Sequence, residues 1–230
     1  MYATKEQRDW VSESIGTNYQ DKESSGKSTI AVTPDKAAKM FIGSTSEKIQ
    51  NEVDAVEAVN SKYIAEILDY SAQHMVIVYE TLIPLPSIAT YKTRDLRTFT
   101  DLICNISCAM FDIHGAGYAH GDVAEGNIGL SKRGTFVLYD NEDLRQANPM
   151  QMYADVKMFL DDLSRVYRKF EEQNRIIEKL REMVDEHIQI TMVERRFGTR
   201  MRSVEDRSNL DFDHTTFGKC VNELLTCESC

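Results

Sequence analysis

Along the first eighty residues, apolar positions fall into short, often β-branched runs separated by polar breaks. STIAV (28–32) is one such run, and TPDK (33–36) after it is a turn signal. The pattern predicts strands over 9–16 and 27–33 flanking a polar loop, and a third strand over 37–42, AAKMFI. From Ser46 to about Asn60 the period changes, with Ile49, Val53, Val56 and Val59 at helical spacing. Two more strands follow, YIAEILDY (63–70) and HMVIVYE (74–80). IPLPS (83–87) carries two of the four prolines, breaks the pattern, and marks a hinge between two halves of the chain.

Helical periodicity dominates beyond it. Residues 93–114 place Leu96, Phe99, Leu102, Ile106 and Met110 on one side of a long amphipathic helix. A glycine-rich loop and two short strands (127–130 and 135–139) come next. Helices are expected over 152–170, about 171–193 and 214–226, with 197–213 as loop. A β-rich half followed by a helical half is an α+β architecture. The expected organisation is one domain over 1–230, with a sheet lobe at about 9–82, a hinge at about 80–87 and a helical lobe at about 88–230.

Composition narrows the function classes. A chain of 230 residues, 42% hydrophobic and 28% charged, suits one globular domain. A net charge of −10 disfavours binding nucleic acid through the overall field. Apolar runs such as MVIVY (75–79) are too short to span a bilayer, and MYATKEQRDW at the start is no secretory signal. Five cysteines without a regular framework suggest a reducing compartment, hence a cytoplasmic location. Cys104 and Cys108, one helical turn apart, read as buried structural thiols. Cys220, Cys227 and Cys230, with His214 nearby, offer a single CxxC, and free thiols are the expectation over a zinc site.

ESSGKSTIA (23–31) resembles a phosphate-binding Walker loop, but the context is wrong. That loop needs a glycine five residues before Gly26, a buried strand before it and a helix after it. Asp21 stands at the glycine position, TNYQDKE (17–23) is too polar for a buried strand, and a strand and turn follow. Lys27 could reach a phosphate, but its first reading is a solvated loop residue.

The chemistry-bearing stretch is HGAGYAHGDVAEGNIGLSKRGTFVLYDNED (114–143). Asn127 lies 5 residues and Asp140 lies 18 residues after Asp122. Singly, Asp122 and Asn127 are ordinary turn formers. Together with Asp140 they can orient a hydroxyl and hold Mg²⁺ against phosphates, with the intervening hairpin fixing their separation.

Here the chain resembles the protein-kinase superfamily, over about residues 10–165. The resemblance implies a two-lobed fold and an ATP- and Mg²⁺-dependent phosphotransferase. It makes Asp122 the catalytic base or hydroxyl orienter, and Asp140 and Asn127 the metal ligands. Lys39 in KAAKMF becomes the phosphate-positioning lysine, paired to Glu52 of the following helix. Tyr79 would line the back of an adenine pocket, and backbone groups of Glu80 and Leu82 would bond the base. Gly16 and Gly26 would remain from a glycine-rich hairpin over the phosphates, and Asp155 would support the catalytic loop from below. His120 would brace that loop, and His114 reads as a packing or helix-end residue.

The chain also departs from that family. HGD stands for HRD, Ala124 replaces the usual lysine, DNE (140–142) stands for DFG, and only 15 residues separate Asp140 from Asp155. No activation loop fits, so activity without loop phosphorylation is implied. Loops with HGD and a Gly–Asn pair are similar to those of RIO-like kinases and of aminoglycoside and choline phosphotransferases. The brevity is similar to that of compact kinases carried by viruses or delivered by pathogens, which would act in a host cytosol. The expectation is a minimal serine/threonine kinase with a protein substrate. A small-molecule kinase and a nucleotide-binding module without turnover stay open, and the sequence does not set the oligomeric state.

Overall fold

The computed structural model describes residues 3–23, 28–89, 95–198 and 215–225. Gly26, Lys27, His214, Cys227 and Cys230 lie outside the described residues. The architecture is α+β: a small antiparallel sheet precedes a helical region, with seven α-helices among the described residues.

The sheet contains β1 (Gln20–Glu23), β2 (Ser28–Val32), β3 (Lys36–Phe41), β4 (Ile67–Ser71) and β5 (Val76–Glu80), in the order β1-β2-β3-β5-β4. Side-chain alternation along β3 and β5 gives the sheet two buried faces. Ala31, Ala38, Met40, Val76 and Val78 form one, packed against Val11 of α1 (Lys5–Ile15). Phe41, Ile77 and Tyr79 form part of the other, with Ile49 and Val53 of α2 (Ser46–Val59).

The strand expected over 9–16 is instead the C-terminal part of α1. The physical reason is a capping box. Thr4 Oγ1 accepts from the Gln7 amide, and Gln7 Oε1 accepts from the Thr4 amide, which satisfies two N-terminal donors. Gly16, at φ 93°, ends the helix. Gln7 Nε2 also donates to the Phe41 carbonyl at 3.0 Å, so the helix is fastened to β3.

The segment read as a hinge is ordered and anchored. It folds as β6 (Ile83–Pro84) and a short helix, α3 (Leu85–Ala89), whose Leu85 and Ile88 enter the main core. That core is organised around α4 (Leu96–Gly115), capped by Asp95, whose carboxylate accepts from the Arg97 and Thr98 amides. Then come β7 (Tyr118–Ala119), β8 (Ile128–Leu130), β9 (Phe136–Leu138) and β10 (Arg145–Gln146). The strands β6-β8-β9 form one small sheet, and β7 pairs with β10. The helices α5 (Pro149–Tyr167), α6 (Glu171–Gly198) and α7 (Thr215–Leu225) complete the region. α6 runs past the expected end near 193, to Gly198.

Cys104 and Cys108 are buried as expected, but both are disulfide-bonded, which corrects their reading as thiols. Cys220 is a free thiol whose pKa burial pushes up. No helix among the described residues is long and apolar enough to cross a membrane.

Candidate functional site

A cleft of about 240 Å³ opens between the sheet and the loops that follow β5 and β9. Ile30, Val32, Ala37, Leu82 and Pro84 give it apolar walls, with Tyr79 and Tyr139 adding ring surface. Lys39, Asp140 and Glu142 bring charge to it. A larger hollow of about 740 Å³ lies between the end of α2, β4 and the turn after β8. The smaller cleft is the candidate site, because apolar walls and converging charged groups occur in it together.

The strand register explains the cleft. Directly opposed residues of an antiparallel pair project to the same face. Val32 opposes Ala37, and Ala37 opposes Tyr79, which makes an apolar row. Ile30 opposes Lys39 in the next row, so the charge follows the apolar wall by one step of alternation.

Lys39 is 9% exposed, and its Nζ bonds the Asp140 carboxylate and lies 3.3 Å from Glu142 Oε2. The same ammonium sits 4.7 Å from the Phe41 ring centroid. Burial pulls the Lys39 pKa down, but the charges of Asp140, Glu52 and Glu142 outweigh it and hold the value above the usual one. Asp140 adopts a left-handed backbone at φ 63°. Non-glycine residues in that region are uncommon and concentrate at functional sites, although aspartate tolerates it better than most.

The pair expected between Lys39 and Glu52 is not formed. Glu52 is 3% exposed; its Oε1 accepts from the Tyr79 hydroxyl at 2.7 Å, and its Oε2 has no hydrogen-bond partner among the described residues. Burial pushes the Glu52 pKa up to about 7, against the opposing effects of Lys39 and of the Tyr79 hydrogen bond. A carboxyl that is readily protonated needs no cation, and the more accessible carboxylates take Lys39 instead. The Tyr79 phenol is pushed well above its usual pKa by burial, and then by Glu52.

Below the cleft, Asp155 organises the loop containing Asp122. Its carboxylate accepts the His120 amide at 2.8 Å and the Gly121 amide at 2.9 Å, and lies 3.0 Å from His114 Nε2. His120 Nδ1 accepts the Asp122 amide at 3.3 Å. The expected supporting place of Asp155 and the structural places of both histidines match this geometry. Asn127 Nδ2 donates to Asp122 Oδ2 at 2.7 Å and to the Asp122 carbonyl at 3.0 Å. Both neighbours are acceptors, which identifies that end of the amide as nitrogen and leaves Oδ1 as the free donor oxygen. The Tyr139 amide donates to the Asn127 carbonyl at 2.9 Å, tying this loop to the residue before Asp140.

Gly16 does not belong to the site: it ends α1 and borders a separate hollow beside Thr33 and Lys36. Glu80 and Leu82 do line the cleft, and burial raises the Glu80 pKa. Between them, the Thr81 amide is bonded to the Asp35 carbonyl at 3.1 Å. The structure adds Glu142, Tyr139 and Gly129, none of which the sequence reading assigned a role. The acidic run DNED (140–143) could have singled out Glu142. Tyr139 is pushed up to about 12 by burial and by Asp140. A Cβ at Gly129 would lie 2.8 Å from Leu82 Cβ, so glycine permits the close approach of β8 to the cleft wall.

Asp140, Glu142 and Asn127 Oδ1 are hard oxygen donors. Among the described residues, no group of three or more His, Cys, Asp or Glu could by itself hold a metal ion. The donors fit Mg²⁺, which commonly takes one or two carboxylates and completes its shell with phosphate oxygens and water. No protein-family model matches the chain, and no curated protein matches it.

Proposed function

We propose that the chain is a two-lobed, protein-kinase-like phosphotransferase that moves the terminal phosphoryl group of ATP to a hydroxyl, with a protein as the acceptor. The observation that carries this reading is the bond between Lys39 of β3 and Asp140, residues 101 positions apart that meet across the apolar cleft. The Asp122–Asn127 loop, tied to Tyr139, supports it from below.

In this reading the base lies against Val32, Ala37 and Leu82, and Lys39 positions the phosphates. The substrate hydroxyl oxygen attacks the terminal phosphorus, the bond to the bridging oxygen breaks with its electron pair leaving on ADP, and the hydroxyl proton passes to the Asp122 carboxylate. Asn127, donating to Asp122, fixes the orientation of that carboxylate. Mg²⁺, held by Asp140 and Asn127, would supply neutralisation of phosphate charge. Asp155 acts through the loop and positions Asp122.

A second reading, a nucleotide-binding module without turnover, is favoured by one observation: Lys39 is engaged by Asp140 and Glu142 while Glu52 engages Tyr79. Transfer of label from γ-labelled ATP with Mg²⁺ separates the readings. Acceptors are a cell lysate, the protein itself, and an aminoglycoside and choline panel. Labelled protein bands lost in Asp140→Ala support the proposal, and Asp122→Asn then lowers kcat by about 10²–10⁴-fold. Label in a small molecule changes the acceptor class. ATP binding with no transfer leaves the binding module.

A further inference from the structure

We propose that Lys22 is a second phosphate-binding lysine of this cleft, contacting the terminal phosphates from β1; the inference rests on the nucleotide reading above. Lys22 opposes Ile30, and Ile30 opposes Lys39. The three residues therefore form one cross-strand row projecting to the same face of the sheet. Two strand spacings separate the lysine backbones, about 10 Å at ~4.8 Å per spacing. Long side chains at that separation can converge on one polyphosphate from two sides.

Alternation supports the assignment independently. Asp21, the preceding residue, faces the other way and pairs with Arg8 of α1 at 2.6 Å. Lys22 then has to face the cleft, and it does line it. Lys39 is already engaged by two carboxylates, whereas Lys22 is exposed and has no ion-pair partner among the described residues. Ala124, two residues after Asp122, carries no charge, and Arg165 beside that loop is held by Asp162 at 2.7 Å and Glu125 at 3.5 Å. Lys22 is placed to supply positive charge to the cleft from the sheet side, as a point charge with three donors.

The test is calorimetric titration of the full chain, with Mg²⁺, by ATP, ADP and adenosine. Wild type, Lys22→Met and Lys22→Arg are compared, with urea unfolding as the check on folding. Lys22→Met is expected to weaken ATP binding roughly tenfold and to leave adenosine binding unchanged, with Lys22→Arg restoring most of the loss, because the lost contact is a charge-assisted hydrogen bond to phosphate. Equal weakening of ATP and adenosine would point to a structural effect and overturn the inference. Unchanged ATP binding would overturn it too, and in both cases the nucleotide reading would stand. A wild-type chain that binds no ATP would remove the reading and the inference together.

Discussion

Two buried carboxylates, Asp155 and Glu52, are the most instructive pair in the molecule. Asp155 is 1% exposed and Glu52 is 3% exposed. Asp155 is surrounded by donors: two backbone amides and a histidine ring. Glu52 has one hydroxyl on one oxygen and, among the described residues, nothing on the other. A buried charge fully met by donors holds a shape, whereas one only partly met is shifted in pKa and ready to change partner. The first kind braces the loop of Asp122, and the second sits behind Lys39.

The largest expected effect is at the satisfied centre. Asp155→Ala leaves the buried His120 amide, the part-buried Gly121 amide and the His114 ring without their acceptor, at about 1–3 kcal/mol for each orphaned group. The unfolding free energy is expected to fall by more than about 3 kcal/mol, read from urea denaturation. Asp155→Asn, which keeps one acceptor oxygen, should lose less. Equal stability of Asp155→Ala and wild type would break the comparison.

At the unsatisfied centre the expected signature is pH dependence. Folded Glu52 keeps its proton up to about pH 7, while its ordinary value is 4.5. Between those values the unfolded chain binds fewer protons, so stability is full below about 4.5 and is lost as the pH rises through about 7. The loss across that window is on the order of 3 kcal/mol. Glu52→Gln keeps a partner for Tyr79 and cannot ionise, so its stability profile should be flatter than that of wild type. Identical slopes in the two proteins would refute the assignment.

Gly129, in β8, lies against the cleft wall at Leu82 and Tyr139. Gly129→Ala brings a Cβ to 2.8 Å from Leu82 Cβ, which is closer than the packing allows. The expected loss is about 1–3 kcal/mol, with weaker nucleotide binding through displacement of the cleft wall. Thermal unfolding read together with titration by ATP would test both. The smallest effect belongs to the exposed pair on α6, where Arg175 lies 3.1 Å from Glu171. Arg175→Ala should change the unfolding free energy by no more than about 0.5 kcal/mol.

Much of the fold was legible in pattern. β3, α2 and β5 fall within a few residues of their expected places, because alternation and helical spacing report directly which positions are buried. α1, where a strand was expected, carries a readable helix signal, the Thr4-x-x-Gln7 capping box ahead of a short apolar run. Asp122 and Asn127 could be singled out because they stand 5 residues apart in one loop, whereas Asp155, in α5, was singled out only by the resemblance. Glu142 carried a signal in the acidic run DNED (140–143), whereas nothing local distinguishes Lys22 from other charged surface residues.

The sequence by itself determined the α+β order and the charge balance, since each follows from composition or from periodicity along one segment. Only the tertiary structure decided partnership. It gave Lys39 to Asp140 and Glu142, gave Glu52 to Tyr79, and removed Gly16 from the site. Such choices depend on desolvation and on distances between groups far apart in the chain, and neither quantity is written in the order of the residues.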